Sequence, residues 1–127
     1  MDLHHSGCIA VIFCAQRTQA DDEAYSAAAE VMGNLAAQQS GYLGQDSSRS
    51  PDGLGITVSY WENDEAAKAW RDHPVHKAIR EQGRGKWYES YTLHVACIER
   101  SYAWKKPEHE EKPGNGNKSR IGKNSMP

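Results

Sequence analysis

The fold of this 127-residue chain is decided by residues 60–76, which read YWENDEAAKAWRDHPVH. The segment holds the end of a strand, a helix that begins after Asn63, and two histidines on either side of a proline. Asn63 is a favoured helix N-cap, and the acidic residues after it suit the positive end of a helix. Alanines and Trp70 recur at helical spacing, so we predict that Trp70 faces the protein interior.

A second helix is predicted to begin at Pro74. Proline lacks a backbone N–H and is tolerated at the first helical position, so His73 becomes the cap and His76 lies in the first turn. Gly83 is the expected end of this helix, since glycine commonly follows a helix C-terminus.

The first half of the chain contains a strand, a helix and a hairpin. Residues 8–15, CIAVIFCA, are almost all apolar and predict a strand covered on both faces. The next helix runs from about Asp22 to Gln39, with Asp21 or Asp22 as its cap. Inside it, Gly33 indicates either close packing against a neighbouring backbone or a merely tolerated glycine. Residues 42–46 and 56–61 predict two strands, and residues 92–102 a long final strand.

The order β-α-β-β-α-(α)-β is the split βαβ, ferredoxin-like arrangement of the α+β class, with a four-stranded antiparallel sheet and helices on one face. In the first strand Ile9, Val11 and Phe13 point one way, while Ala10 and Ile12 point the other. An uncovered apolar sheet would be unusual on a soluble monomer. We therefore predict a homodimer in which the second sheet faces pack together.

Composition restricts the class of protein further. Residues 8–104 are predicted to form the domain, and residues 105–127 a flexible basic tail. The first 104 residues carry nine basic and 14 acidic side chains, a net charge of −5, which argues against a nucleic-acid partner. Three cysteines without metal-type spacing indicate reduced, buried thiols in a cytoplasmic protein. The N-terminus has no signal-peptide pattern, and no apolar run is long enough to span a membrane.

Three sequence patterns resemble the antibiotic biosynthesis monooxygenase (ABM) domain family: GYLG at residues 41–44, YWxxxEAxxAWxxHxxH at 60–76, and GRxxWYxxY at 83–91. The resemblance covers about residues 8–104 and implies a dimeric α/β barrel of ferredoxin-like protomers. It leaves three possibilities for the activity. The family includes cofactor-independent oxygenases of phenol- or quinol-like substrates, heme-degrading enzymes, and members with no assigned reaction.

The heme-degrading branch uses an asparagine from the first strand, a tryptophan on the helix after the third strand, and an iron-ligating histidine ten residues later. Trp70 matches the tryptophan, but Arg80 stands at the histidine position and Gln16 lies near the asparagine position. His76, one helical turn before Arg80, is the alternative iron ligand. Heme is therefore kept as an alternative cofactor beside a cofactor-independent site, and no other metal site is predicted.

Seven residues are the candidates for the site. His76 suits general acid or base work because its ordinary pKa is near neutrality. The predicted catalytic residues are His76, Trp70 and Arg80, and the predicted substrate-binding residues are Tyr60, His73, Tyr88 and Tyr91. Each has a structural alternative: the histidines as helix-start residues, the aromatic residues as core, and Arg80 paired with Asp72 or Glu81 in solvent.

The function expected from the sequence is a small monooxygenase that oxidises an electron-rich aromatic substrate with O₂ in a cavity between sheet and helices. The alternatives are a heme-binding or heme-degrading monooxygenase, and a noncatalytic dimeric protein that binds a small aromatic ligand. The absence of a complete catalytic set favours the noncatalytic alternative.

Overall fold

A computed structural model describes residues 7–108 and confirms the predicted order of elements. The strands and helices are β1 (Ile9–Arg17), α1 (Asp22–Ala37), β2 (Tyr42–Arg49), β3 (Leu54–Trp61), α2 (Asp64–Arg71), α3 (Pro74–Lys86) and β4 (Tyr88–Cys97). Residues 109–127, most of the predicted tail, lie outside the described part.

The four strands form one antiparallel sheet in the order β2-β3-β1-β4, which is the ferredoxin-like order predicted from the sequence. Val11 stands opposite Ser59 on one side and Val95 on the other. These three residues share the face that the helices cover, because all three line the cavity beneath α1, α2 and α3. The covered face therefore carries the site.

The other face of the sheet is also apolar, as the first strand predicted. Ile12 stands between Val58 and His94 there, and Cys14 stands opposite Ile56. Leu54 and Ile56 keep 48% and 43% of their surface exposed. A contiguous apolar sheet face of this kind is typical of an interaction surface.

Local capping explains where α2 and α3 begin. The Asn63 side chain accepts a hydrogen bond from the Ala66 N–H at 2.8 Å, as predicted. The Val75 N–H donates to Nδ1 of His73 at 3.1 Å, with Pro74 at the first helical position. Each cap satisfies one of the free N–H groups that every helix leaves at its start.

Two predicted boundaries at the C-terminal end of the domain are wrong. Helix α3 continues past Gly83 to Lys86, because Gly83 keeps a helical conformation and serves packing instead. A Cβ atom at Gly83 would lie 2.9 Å from Cε2 of Tyr88, so only glycine lets that ring approach. Strand β4 covers Tyr88–Cys97 rather than residues 92–102, because its partner β1 begins at Ile9, opposite Cys97.

The core is built on stacked tryptophans. Trp61 is fully buried, and its ring stacks on Trp70 with centroids 6.4 Å apart and planes at 24°. Ile9, Ala36 and Ala67 complete the buried cluster, so the predicted inward direction of Trp70 is confirmed. The prediction of three buried thiols is wrong for Cys97, which is exposed because it ends the edge strand β4.

A membrane-spanning helix would need about 20 mostly apolar residues. Among the helices within residues 7–108, none has the length and apolar character to cross a membrane.

Candidate functional site

The helices and the covered face of the sheet enclose a cavity of about 490 Å³, which we call the aromatic cavity. Its walls are mostly aromatic and aliphatic, as is usual for a small-molecule site. Five of the seven predicted site residues line it: Trp70, His76, Arg80, Tyr88 and Tyr91. The structure thus brings these five residues around one space, while their roles stay predictions.

His76 has a fixed tautomer. Its Nδ1 lies 2.9 Å from the backbone oxygen of Trp70, and a carbonyl oxygen can only accept, so Nδ1 carries the proton. The neutral ring therefore has its lone pair on Nε2. The imidazole also stacks on the Trp70 indole, with centroids 4.6 Å apart and planes at 24°. Two separate contacts thus hold the ring in one orientation.

His76 is also kept neutral. Burial lowers the pKa of His76 below its ordinary value of 6.5, and the neighbouring Arg80 cation lowers it further. The hydrogen bond to Trp70 acts in the opposite direction but is outweighed by burial. At neutral pH the imidazole is therefore a base with a free lone pair.

Arg80 does not make the solvent ion pairs considered from the sequence. Asp72 pairs with Arg71 at 3.0 Å, and Glu81 with Arg84 at 3.6 Å. The guanidinium of Arg80 is half-buried in the cavity wall, and its single long hydrogen bond in residues 7–108 goes to the Arg71 carbonyl at 3.5 Å. Its Nε is buried without an acceptor from the described residues. The cation is therefore available to an anionic or carbonyl oxygen.

Tyr88 and Tyr91 form one end of the cavity around Phe13. The Phe13 ring lies 5.5 Å from Tyr88 and 5.2 Å from Tyr91, measured between centroids. Burial, followed by the neighbouring Tyr25, raises the pKa of Tyr88 above its ordinary value. The Tyr91 hydroxyl accepts a hydrogen bond from Nε of Arg84 at 2.7 Å. Tyr88 is thus a protonated hydroxyl at neutral pH.

Two predicted substrate-binding residues, Tyr60 and His73, do not line the aromatic cavity, so the structure does not bring them together with the other five. Tyr60 follows Ser59 in β3, so strand alternation turns it to the opposite face, where its hydroxyl donates to Asp46 at 2.9 Å. Burial and Asp46 raise the pKa of Tyr60 to about 12. His73 is occupied as the cap of α3 and contacts Trp70 from outside the cavity lining.

The sequence prediction missed Tyr25 in the cavity wall and Arg17, which does not line the cavity but packs on Tyr25. Tyr25 of α1 lines the cavity, and the guanidinium of Arg17 lies 3.9 Å from its ring centroid. Arg17 is buried, donates to the Trp87 carbonyl at 2.9 Å and pairs with Asp22. The spacing of Tyr25, Ala28, Met32 and Leu35 along α1 is helical, which was a signal that Tyr25 faces inward. The contact of Arg17 with Trp87 joins residues 70 positions apart, and no local pattern predicts it.

The described residues contain no cluster of three or more histidine, cysteine or carboxylate side chains that could hold a metal ion. Gln16, near the position of the asparagine in the heme-degrading branch, donates to the Asp52 carbonyl at 2.8 Å and does not line the cavity. His76 is therefore the best-placed nitrogen ligand in the wall of the aromatic cavity.

Comparison with known proteins gives the same fold and a family. The model of the family described as antibiotic biosynthesis monooxygenase matches residues 6–82. A protein of Bacillus subtilis (strain 168), the uncharacterized protein YqjZ, is 48% identical over 91 residues, which cover 72% of this chain and 79% of that protein. This similarity extends through most of the domain.

Solved structures with low identity share the fold alone. Rv0793 from Mycobacterium tuberculosis is 16% identical and superposes with a TM-score of 0.67 over 76% of this chain and all of its own. SnoaB, a cofactor-independent oxygenase from Streptomyces nogalater, is 11% identical with a TM-score of 0.62, covering 80% of this chain and 98% of its own.

The depressed pKa of His76 predicts a stability that falls in acid. The unfolded chain takes up a proton near pH 6.5, whereas the folded protein resists protonation until a lower pH. The contribution of His76 to the free energy of unfolding is therefore complete above the pKa that His76 has in the unfolded chain. It is lost as the pH falls through the pKa that His76 has in the folded protein. Urea unfolding between pH 8 and 5 should show this loss, and the His76→Asn variant should show less of it. Equal pH dependence in both proteins would contradict the assignment.

Proposed function

This chain belongs to the antibiotic biosynthesis monooxygenase family, and from that premise we propose that it oxidises an electron-rich, phenol- or quinol-like aromatic substrate with O₂. The observation that carries the proposal is the state of His76. A neutral imidazole with its lone pair on Nε2, in the wall of an aromatic cavity, is the group needed to activate such a substrate.

The proposed first step is removal of one proton by Nε2 of His76. The proton comes from a phenol or from the activated carbon of a quinol-like ring, and the product is a delocalised anion. Proton transfer by a positioned side chain contributes about 10²–10⁴-fold to a rate. The imidazolium formed in this step keeps its hydrogen bond to Trp70, so the ring does not have to reorient.

The proposed second step is direct reaction of the anion with O₂. One oxygen atom becomes the new carbonyl of the product. The other leaves as water with two hydrogens of the substrate, namely the proton taken up by His76 and one hydrogen from the carbon that is oxidised. The protein supplies no electrons, because the substrate itself is oxidised. Apolar walls such as Trp70 and Trp87, which are 8% and 2% exposed, limit the water around the anion.

Arg80 and Tyr88 are proposed to position the substrate. The half-buried guanidinium of Arg80 has no carboxylate partner in residues 7–108 and would stabilise the developing oxyanion. Burial and the neighbouring Tyr25, to which the Tyr88 hydroxyl is hydrogen-bonded, raise the pKa of Tyr88, so this hydroxyl is held in place at one end of the cavity. Trp70 acts differently, since it is 8% exposed and orients His76 by stacking and through its carbonyl.

Replacement of His76 by alanine should lower turnover of 1,8-dihydroxyanthrone by about 10²–10⁴-fold, the usual contribution of a general base. The measurements are O₂ uptake and formation of the anthraquinone, each above the uncatalysed rate. The matched control is His73→Asn, because asparagine preserves the cap of α3 outside the cavity. Full activity of the His76→Ala protein would refute the mechanism, and no activity of the wild type would refute this substrate class.

Heme binding is the second candidate function, and His76 again carries it. A neutral imidazole with a free Nε2 is the form that ligates iron, and Arg80 would pair with a propionate. Bound heme would supply the iron chemistry with O₂. Titration with hemin should then shift the Soret band in the wild type and in His73→Asn but not in His76→Ala. An unchanged Soret band in the wild type would remove this candidate.

We further propose that the chain forms a homodimer through the open face of the sheet. Its apolar residues include Ile12, Leu54, Ile56 and Val58, which none of the helices α1, α2 and α3 covers. Sedimentation at micromolar concentration should give twice the protomer mass of 14.2 kDa. Ile56→Glu should dissociate the dimer, whereas Val75→Glu, which also changes an exposed apolar residue but on α3, should not. A monomeric wild type would contradict the proposal.

A further inference from the structure

A second cavity of about 360 Å³ adjoins the aromatic cavity beside α1, and we call it the polar cavity. The two cavities share four lining residues: Tyr25, Ala29, Gly33 and Gln45. The two cavities therefore adjoin along α1 and β2, and the polar cavity lies on the solvent side, where Ser26, Glu30, Asn34 and Arg49 are exposed.

Gly33 stands in the wall common to both cavities. It lies inside α1, where glycine costs about 1 kcal/mol relative to alanine. Of the two interpretations given for Gly33, close packing against a backbone is wrong, because a Cβ atom there would meet no atom within 4 Å, and a tolerated glycine agrees with the structure. A side chain at this position would project into open space beside the wall shared by the two cavities.

The polar cavity differs from the aromatic cavity in chemistry. Ser26, Asn34 and Gln45 bring hydroxyl and amide groups, which both donate and accept hydrogen bonds. Glu30 and Arg49 bring opposite charges that balance each other. Arg49 already donates to the Tyr25 hydroxyl and, at 3.4 Å, to the Gly53 carbonyl. This lining suits a neutral, polyhydroxylated group rather than an anion.

We infer that the site takes a glycoside-like ligand, whose aromatic ring system lies in the aromatic cavity and whose neutral, hydroxylated substituent passes Gly33 into the polar cavity. The inference rests on the proposed function, because it requires the aromatic cavity to bind an aromatic ring system. It adds the class of substituent and the residue that admits it.

The test is to measure the binding of emodin and of emodin 8-O-β-D-glucoside to the full chain by calorimetry. In the wild type the dissociation constant of the glucoside should be no more than about threefold higher than that of emodin. Gly33→Leu fills the open space beside the shared wall, so it should weaken the glucoside by at least about tenfold and leave emodin within about threefold.

Gly85→Leu is the matched control. Gly85 also lies in a helix, α3, and a Cβ atom there also meets nothing within 4 Å, but the residue lines neither cavity. Both variants replace a helical glycine with a better helix former, so neither should unfold at a lower temperature. Gly85→Leu should leave the ratio of the two affinities unchanged.

A second variant keeps the test informative if Gly33→Leu does not fold. Asn34→Ala removes one polar group from the exposed side of the polar cavity and should weaken the glucoside but not emodin. The inference is overturned if emodin binds to the wild type and the glucoside does not. It is also overturned if the ratio of the two affinities is the same in the wild type, Gly33→Leu and Asn34→Ala. If neither compound binds, the aromatic ligand class of the proposed function falls with it.

Discussion

The stack of Trp61, Trp70 and His76 is the contact on which the rest of the structure depends. It joins β3, α2 and α3 in one line, with centroid separations of 6.4 Å and 4.6 Å. Large buried aromatic rings contribute much apolar area and constrain each other's orientation. The same tryptophan that anchors α2 to the sheet also presents the carbonyl that fixes the His76 tautomer. Core packing and the state of the proposed base are therefore one arrangement.

The short connection between α2 and α3 makes that arrangement possible. Asp72 and His73 are the two residues between the helices, and the Asp72 and His73 N–H groups bond back to the Lys68 and Trp70 carbonyls. Pro74 then starts α3 without needing a partner for its nitrogen. His76, two residues into α3, is thereby returned to the Trp70 ring. A longer connection would not hold the imidazole at that distance.

Features with local causes were predictable from the sequence. The caps at Asn63 and His73 and the inward direction of Trp70 depend on residues within one helical turn. The position of Tyr60 away from the cavity was predictable, because its neighbour Trp61 belongs to the core and alternation along a strand turns Tyr60 to the other face. Arg17 was beyond reach, since its contact with Trp87 joins residues 70 positions apart. Gly33 was identified as unusual, but only the three-dimensional arrangement distinguishes open space from close packing.

Two buried donors in the cavity wall constrain the ligand more than the apolar walls do. Nε of Arg80 and Nε1 of Trp87 find no acceptor among the described residues, and each such group costs about 1–3 kcal/mol in a folded protein. Replacement by apolar groups of similar shape would avoid this cost, so the donors are a stability disadvantage in the free protein. Both side chains line the aromatic cavity, so their unpaired donors support the proposal of an oxygenated aromatic ligand rather than a plain hydrocarbon ring.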